Sequence, residues 1–182
     1  MLRPVVRFPD PFLRQPTKEV ELSEIGTPAF KALIADMVET MYSKNGAGLA
    51  AIQIGSDKRI FIVEAGVAGG DSNDFPLVFI NPKIDWMSDE SEVADEGCLS
   101  FPGVFVPIDR SLKARCTALD LDGKSFTVEG EALFARALQH EEEHLNNKLI
   151  IDHVGPVKRQ MIKRKLERMT DEEAAELQSA GE

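Results

Sequence analysis

The stretch "QHEEEHL", residues 139 to 145, holds two histidines four positions apart with a glutamate directly after the first. On a helix that spacing aims both imidazoles at one point and sets a carboxylate beside them, which is half of a hydrolytic metal centre. At about 100° per residue, with Leu133 at zero, Ala137 falls near 40°, Phe134 near 100°, Leu145 near 120° and Leu138 near 140°. This is the expected buried arc. His140, Glu141 and His144 fall on or beside it, whereas Arg136, Gln139, Glu142 and Glu143 fall on the opposite side. Glu142 and Glu143 are expected to be solvated, with Glu143 close enough to His140 to be its hydrogen-bond partner. Gln139 is assigned a structural part on the outer arc.

A catalytic centre of this kind needs three protein ligands and one open position. No histidine stands six residues after His144, since position 150 is Ile, and the downstream alternatives His153 and Glu167 are poorly placed. Upstream, "DEGCLSFPG" (95 to 103) puts Cys98 beside a glycine in an acidic turn, and a thiolate is a strong ligand for a borderline divalent metal. The other cysteine, Cys116, alternates in phase with Leu112, Ala114 and Ala118 and reads as a small core hydrophobe.

These pieces must be held by one domain, because 182 residues build one real core and are too few for two ordinary ones. We expect a domain over residues 1–170 and an acidic tail over 171–182. A formal charge of -10 argues against a broad nucleic-acid footprint. Two cysteines are no disulfide framework, and no apolar run reaches the roughly 20 residues that span a bilayer. The chain is expected to be soluble and cytoplasmic.

The start, "RPVVRFPDPFLRQP", is too rich in proline for a helix. From Thr27, an N-cap followed by Pro28 and a periodic apolar face predicts a helix that closes near Gly46. "RIFIVEA", "PLVFINPKIDWM" and "SLKARCTALDLDGKSFTV" read as strands, the last with a tight turn at Asp122 and Gly123. Further helices are expected from about Glu131 to Asn146 and from Pro156 to Met169. The resulting class is α+β, with mixed or antiparallel sheets around a central metal-binding helix and a C-terminal helix.

With "GAGLAAIQ" (46 to 53), "EGCLS" (96 to 100) and "QHEEEH" (139 to 144) in this order, the sequence resembles the peptide deformylase family, of bacterial type. The resemblance implies a divalent metal on Cys98, His140 and His144, Fe2+ in the cell and replaceable by Zn2+, Ni2+ or Co2+. It implies Glu141 as the catalytic acid and base, with Gln53 and the backbone N–H of Leu99 holding the formyl oxygen. Gly48, Ala47 and Gly97 match backbone positions that approach the substrate peptide, and Ala94, Leu133 and Ala137 are candidates for the pocket of the methionine side chain. Nascent formyl-Met polypeptides would be the substrate, the enzyme a monomer with no membrane partner, and the basic helix 156–169 a contact to the ribosome.

Two departures stand out. Glu143 occupies a position where the family commonly has Asp, and "FPGVFVP" lacks the basic residue that many bacterial members place after the cysteine motif, with Phe105 in its neighbourhood. The enzyme alternative is a conventional metallopeptidase with another third ligand. A silent relative that only binds peptide N-termini or metal is the alternative from a different class.

Overall fold

In the computed structural model, which describes residues 1–179, the chain forms four α-helices and two antiparallel sheets, so the α+β expectation holds. The first helix, α1 (Pro28–Ser43), starts where the sequence places it: Thr27 Oγ1 accepts from Phe30 N at 3.3 Å and Pro28 occupies the first turn. Phe30, Ile34, Met37 and Met41 recur at helical spacing and form its buried face.

The larger sheet runs in the order β1 (Gly48–Ala50), β2 (Ile60–Val63), β3 (Leu77–Met87), β6 (Lys113–Leu119), β7 (Ser125–Glu131). A smaller hairpin joins β4 (Ser91–Glu96) to β5 (Val106–Ser111). The Asp122–Gly123 turn between β6 and β7 is present, with Gly123 at φ 76° and the Asp120 carboxylate accepting from Asp122 N and Lys124 N. The sequence reading did not resolve β1, which sits in the glycine-rich segment. It also missed the β4–β5 hairpin: the β4 run SEVADE is exposed and acidic over most of its length, and β5 lies ahead of the run read as a strand apart from Ser111.

β7 passes into α2 (Ala132–Leu145) with no intervening loop. Glu131 is both the last strand residue and the helix N-cap, and Ala132 makes the turn at φ 50°. Leu138 and Leu145 then bury completely or nearly so against Phe61, Phe79 and Cys116 of the sheet. Each such leucine contributes roughly 2 kcal/mol, which helps the helix tolerate the polar groups it also buries.

α2 lies between the sheet and the β4–β5 hairpin, so it has no simple solvent face. For that reason Gln139, expected outside, is buried: its amide nitrogen donates to Ser111 O at 2.9 Å and its oxygen accepts from Ser111 N at 3.1 Å. Its structural part stands, on the opposite face from the one expected. Leu133, expected on the buried arc, is 58% exposed because it faces an open cleft rather than the sheet.

The chain closes with α3 (Pro156–Arg168) and α4 (Asp171–Ser179). Ile162 and Leu166 bury one face of α3, while Val157 and Met161 stay exposed. No helix among the described residues is long and apolar enough to cross a membrane.

Candidate metal centre and its cleft

The turn after β4 and the C-terminal half of α2 deliver the three candidate ligands to one place. The ligand atoms of Cys98, His140 and His144 all lie within 4.8 Å of one another. Cys98 Sγ is 3.4 Å from His144 Nε2, against the roughly 3.5 Å expected between sulfur and nitrogen on one tetrahedral ion. The imidazole centroids of His140 and His144 are 5.0 Å apart.

Electrostatics match that donor set. Burial, reinforced by the positive charge of His140 and Arg110, holds His144 well below the usual imidazole range, which keeps it neutral as a ligand must be. Burial also lowers His140, but hydrogen bonds with Cys98 and Glu96 outweigh it and raise the group well above its ordinary value. The same negative surroundings that hold a proton there favour a divalent cation. A thiolate with two imidazoles suits a borderline transition metal, so the residues fit the group.

Behind His140 lies a buried ionic network that the sequence reading did not anticipate. His140 Nδ1 is 2.6 Å from Glu96 Oε1, and Glu96 receives both Arg110 Nε and Arg110 Nη2 at 2.9 Å. Arg136 Nη1 adds a contact to Glu96 at 2.8 Å and donates to Ile108 O at 3.0 Å, tying α2 to the hairpin. Although burial alone pushes the Glu96 carboxyl up, the hydrogen bonds from Arg110 and His140 hold it far below the usual carboxylate range.

Glu143 is therefore not the partner of His140. It pairs with Arg110 Nη1 at 2.8 Å and with His153 Nε2 at 2.9 Å, half-buried rather than solvated, and Glu142 is likewise half-buried. The available signal was positional: Arg136 precedes His140 by one helical turn, and Glu96 ends a strand two residues before Cys98.

A cleft of about 250 Å³ opens over this centre. Gly48, Gln53, Leu99, Ala137, His140 and Glu141 line it, together with Ala47, Gly97 and Leu133. Ala94 is not among the lining residues; it sits within β4 opposite Ile108. Phe105, 52% exposed, lines the cleft as well. Ala47 O accepts from Glu64 N at 2.9 Å.

Gln53 is fixed from both ends of its amide. Its Oε1 accepts from Ala50 N at 2.9 Å, and its Nε2 donates to Ser100 Oγ at 3.1 Å and to Cys98 Sγ at 3.5 Å. The amide nitrogen thus faces the thiol and the cleft. Its backbone is held too, since Val6 N donates to Gln53 O at 2.7 Å.

A sequence model of the polypeptide deformylase family matches residues 2–160. The chain belongs to the polypeptide deformylase family. It is 40% identical over 168 residues to the peptide deformylase of Acinetobacter baumannii (strain SDF), covering 92% of each chain. The crystal structure of a peptide deformylase from Legionella pneumophila superposes with a TM-score of 0.82 at 38% identity, covering 92% of this chain and 95% of that one. That from Ehrlichia chaffeensis in complex with actinonin gives 0.82 at 33% identity, covering 93% and 99%. The three motifs quoted for the resemblance are the segments that meet at this cleft.

Proposed function

We propose that the enzyme removes the N-formyl group from the N-terminal formylmethionine of newly made proteins and releases formate, with roles divided among its residues as follows. The carrying observation is the approach of Cys98 Sγ to His144 Nε2 at 3.4 Å, beside a cleft that Glu141 and Gln53 share. A divalent ion held by Cys98, His140 and His144 supplies Lewis-acid activation of water when bound.

Glu141, 4% exposed on α2, accepts the proton of the attacking water as its oxygen bonds to the formyl carbon. The Leu99 N–H and the Gln53 amide hydrogen that otherwise points at Cys98 Sγ donate to the oxygen on which negative charge develops. As the C–N bond breaks, Glu141 returns the proton to the leaving amine. The products are formate and a free methionine amino group.

Gly48, Ala47 and Gly97 offer backbone to the peptide that follows the methionine, and β1, an edge strand paired on one side with β2, suits addition of an extended chain. Leu133 and Ala137 form the apolar wall for the methionine side chain. We assign Fe2+ as the cellular metal, the cytoplasm as the location and a monomer as the working form. The exposed Lys158, Lys163, Arg164 and Arg168 of α3 form a basic face for ribosomal RNA, whose test is a steeper salt dependence of ribosome binding than of catalysis.

The deciding experiment is an anaerobic assay of formate release from formyl-Met-Ala-Ser, with metal analysis of the same iron-loaded sample. Turnover that disappears together with the metal in Cys98→Ala supports the assignment. Survival of metal and activity in that variant points to a metallopeptidase with another ligand, and absence of turnover in the loaded wild type points to a binding protein.

A further inference from the structure

Of four carbonyls between Cys98 and Gly103, one is held from within the turn and three by donors from three other regions of the chain. Cys98 O accepts from Phe101 N at 2.8 Å within the turn, and Ser100 O accepts from Phe8 N of the N-terminal arm at 2.9 Å. Lys165 Nζ of α3 donates to Gly103 O at 2.9 Å. Leu99 O, between them, accepts from Gln178 Nε2 of α4 at 2.8 Å in a buried setting. Gln178 is itself 8% exposed.

The rest of α4 is fastened around that bond. Leu177 covers Gly103 so closely that a Cβ there would lie 2.9 Å from Leu177 Cδ1. Arg7 Nη2 meets Asp171 Oδ1 at 2.6 Å, and Asn45 Nδ2, just before the glycine-rich motif, donates to Ser179 O at 3.1 Å. One short helix therefore spans both segments that flank the cleft.

We propose that Gln178 is a positioning residue for catalysis, acting through the Leu99–Ser100 peptide. The proposal rests on the reading above in which Leu99 N–H and Gln53 stabilise the developing oxyanion. The peptide carrying Leu99 N–H is pinned by the Phe101 bond to Cys98 O, and the next peptide is pinned by Gln178. Ser100, which receives the Gln53 amide through its Oγ, follows that second peptide. Without the Gln178 donor, Leu99 O becomes a buried carbonyl lacking this partner, and relief by rotation of the peptide would disturb both oxyanion donors at once. The bond is made to a main-chain oxygen and not to a metal-ligand side chain, so the proposal assigns its effect to the transition state rather than to metal or substrate binding.

The test uses the full-length, iron-loaded enzyme with Gln178→Met, which keeps the side-chain length and removes the donor, and Glu176→Gln as a control on the exposed side of α4. Formate release from formyl-Met-Ala-Ser, metal content, thermal midpoint and deuterium exchange of residues 98–105 are measured together. We expect kcat to fall about tenfold with KM and metal content unchanged, faster exchange in that segment, and wild-type behaviour of Glu176→Gln. Unchanged kcat in Gln178→Met, a loss that tracks lost metal or folded protein, or an equal loss in Glu176→Gln would overturn the proposal. Wild-type protein without turnover would instead refute the underlying functional reading, so the two failures are distinguishable.

Discussion

Gly48 and Glu141 are packed so tightly that a Cβ on residue 48 would lie 2.7 Å from Glu141 Oε1 and 3.1 Å from its Cγ. The glycine is required here by the close approach of a carboxylate. Gly48→Ala forces the Glu141 carboxylate to move, and under the acid–base role proposed for Glu141 we expect kcat to fall about 100-fold. Metal analysis of the same preparation, expected to be unchanged, separates this from loss of the centre.

Glu96 receives two guanidinium groups and His140, so replacing it leaves buried charge without its counterpart. Glu96→Gln should lower stability by about 3–5 kcal/mol and metal affinity by about 10- to 100-fold. Denaturant titration and competition with a chelator read the two effects. Stability and affinity equal to wild type would show that the network is idle.

Cys116 gives a pH dependence with a definite sign. Burial, aided by the negative charge of Glu142, pushes its thiol up to about 12 from an ordinary 9.0. The folded protein keeps this proton when the unfolded chain would release it. Its contribution is complete below pH 9.0 and declines as pH rises toward about 12, by at most about 1.4 kcal/mol per pH unit. Denaturation at several pH values between 8.5 and 10.5 should show a shallower alkaline loss for Cys116→Ala, whatever its absolute stability.

Phe105 presents an exposed ring on the cleft where a charge would favour acidic peptides. Phe105→Arg should shift the ratio of kcat/KM between formyl-Met-Ala-Glu and formyl-Met-Ala-Phe toward the acidic peptide by about tenfold. An unaltered ratio would place Phe105 outside peptide selection.

The sequence made the fold class, α1, the β6–β7 turn and the convergence on the centre readable, because each rests on local signals: a cap, a Gly turn, a four-residue spacing. Cys98 was readable through its motif, although it lies 46 residues from His144. The Glu96–Arg110–Glu143 chain was not. Its members come from two strands and a helix, and a buried ion pair leaves no periodic trace in any of them. Gln139 and Leu133 defeated the helical wheel for a related reason. A wheel assumes one wet side and one dry side, whereas α2 is covered by the hairpin along its middle and exposed only at Ala132 and Leu133 in its first turn.

The direct passage from Glu131 to Ala132 gives α2 its phase. A loop there would let the helix settle by its own packing; without one, the last β7 register decides how far α2 is turned when it enters the core. One inserted residue would rotate everything downstream by about 100° and carry His140, Glu141 and His144 off the cleft together. The joint is thus a place where a length change, with no chemical group altered, would silence the enzyme, while most of the sheet kept its pairing.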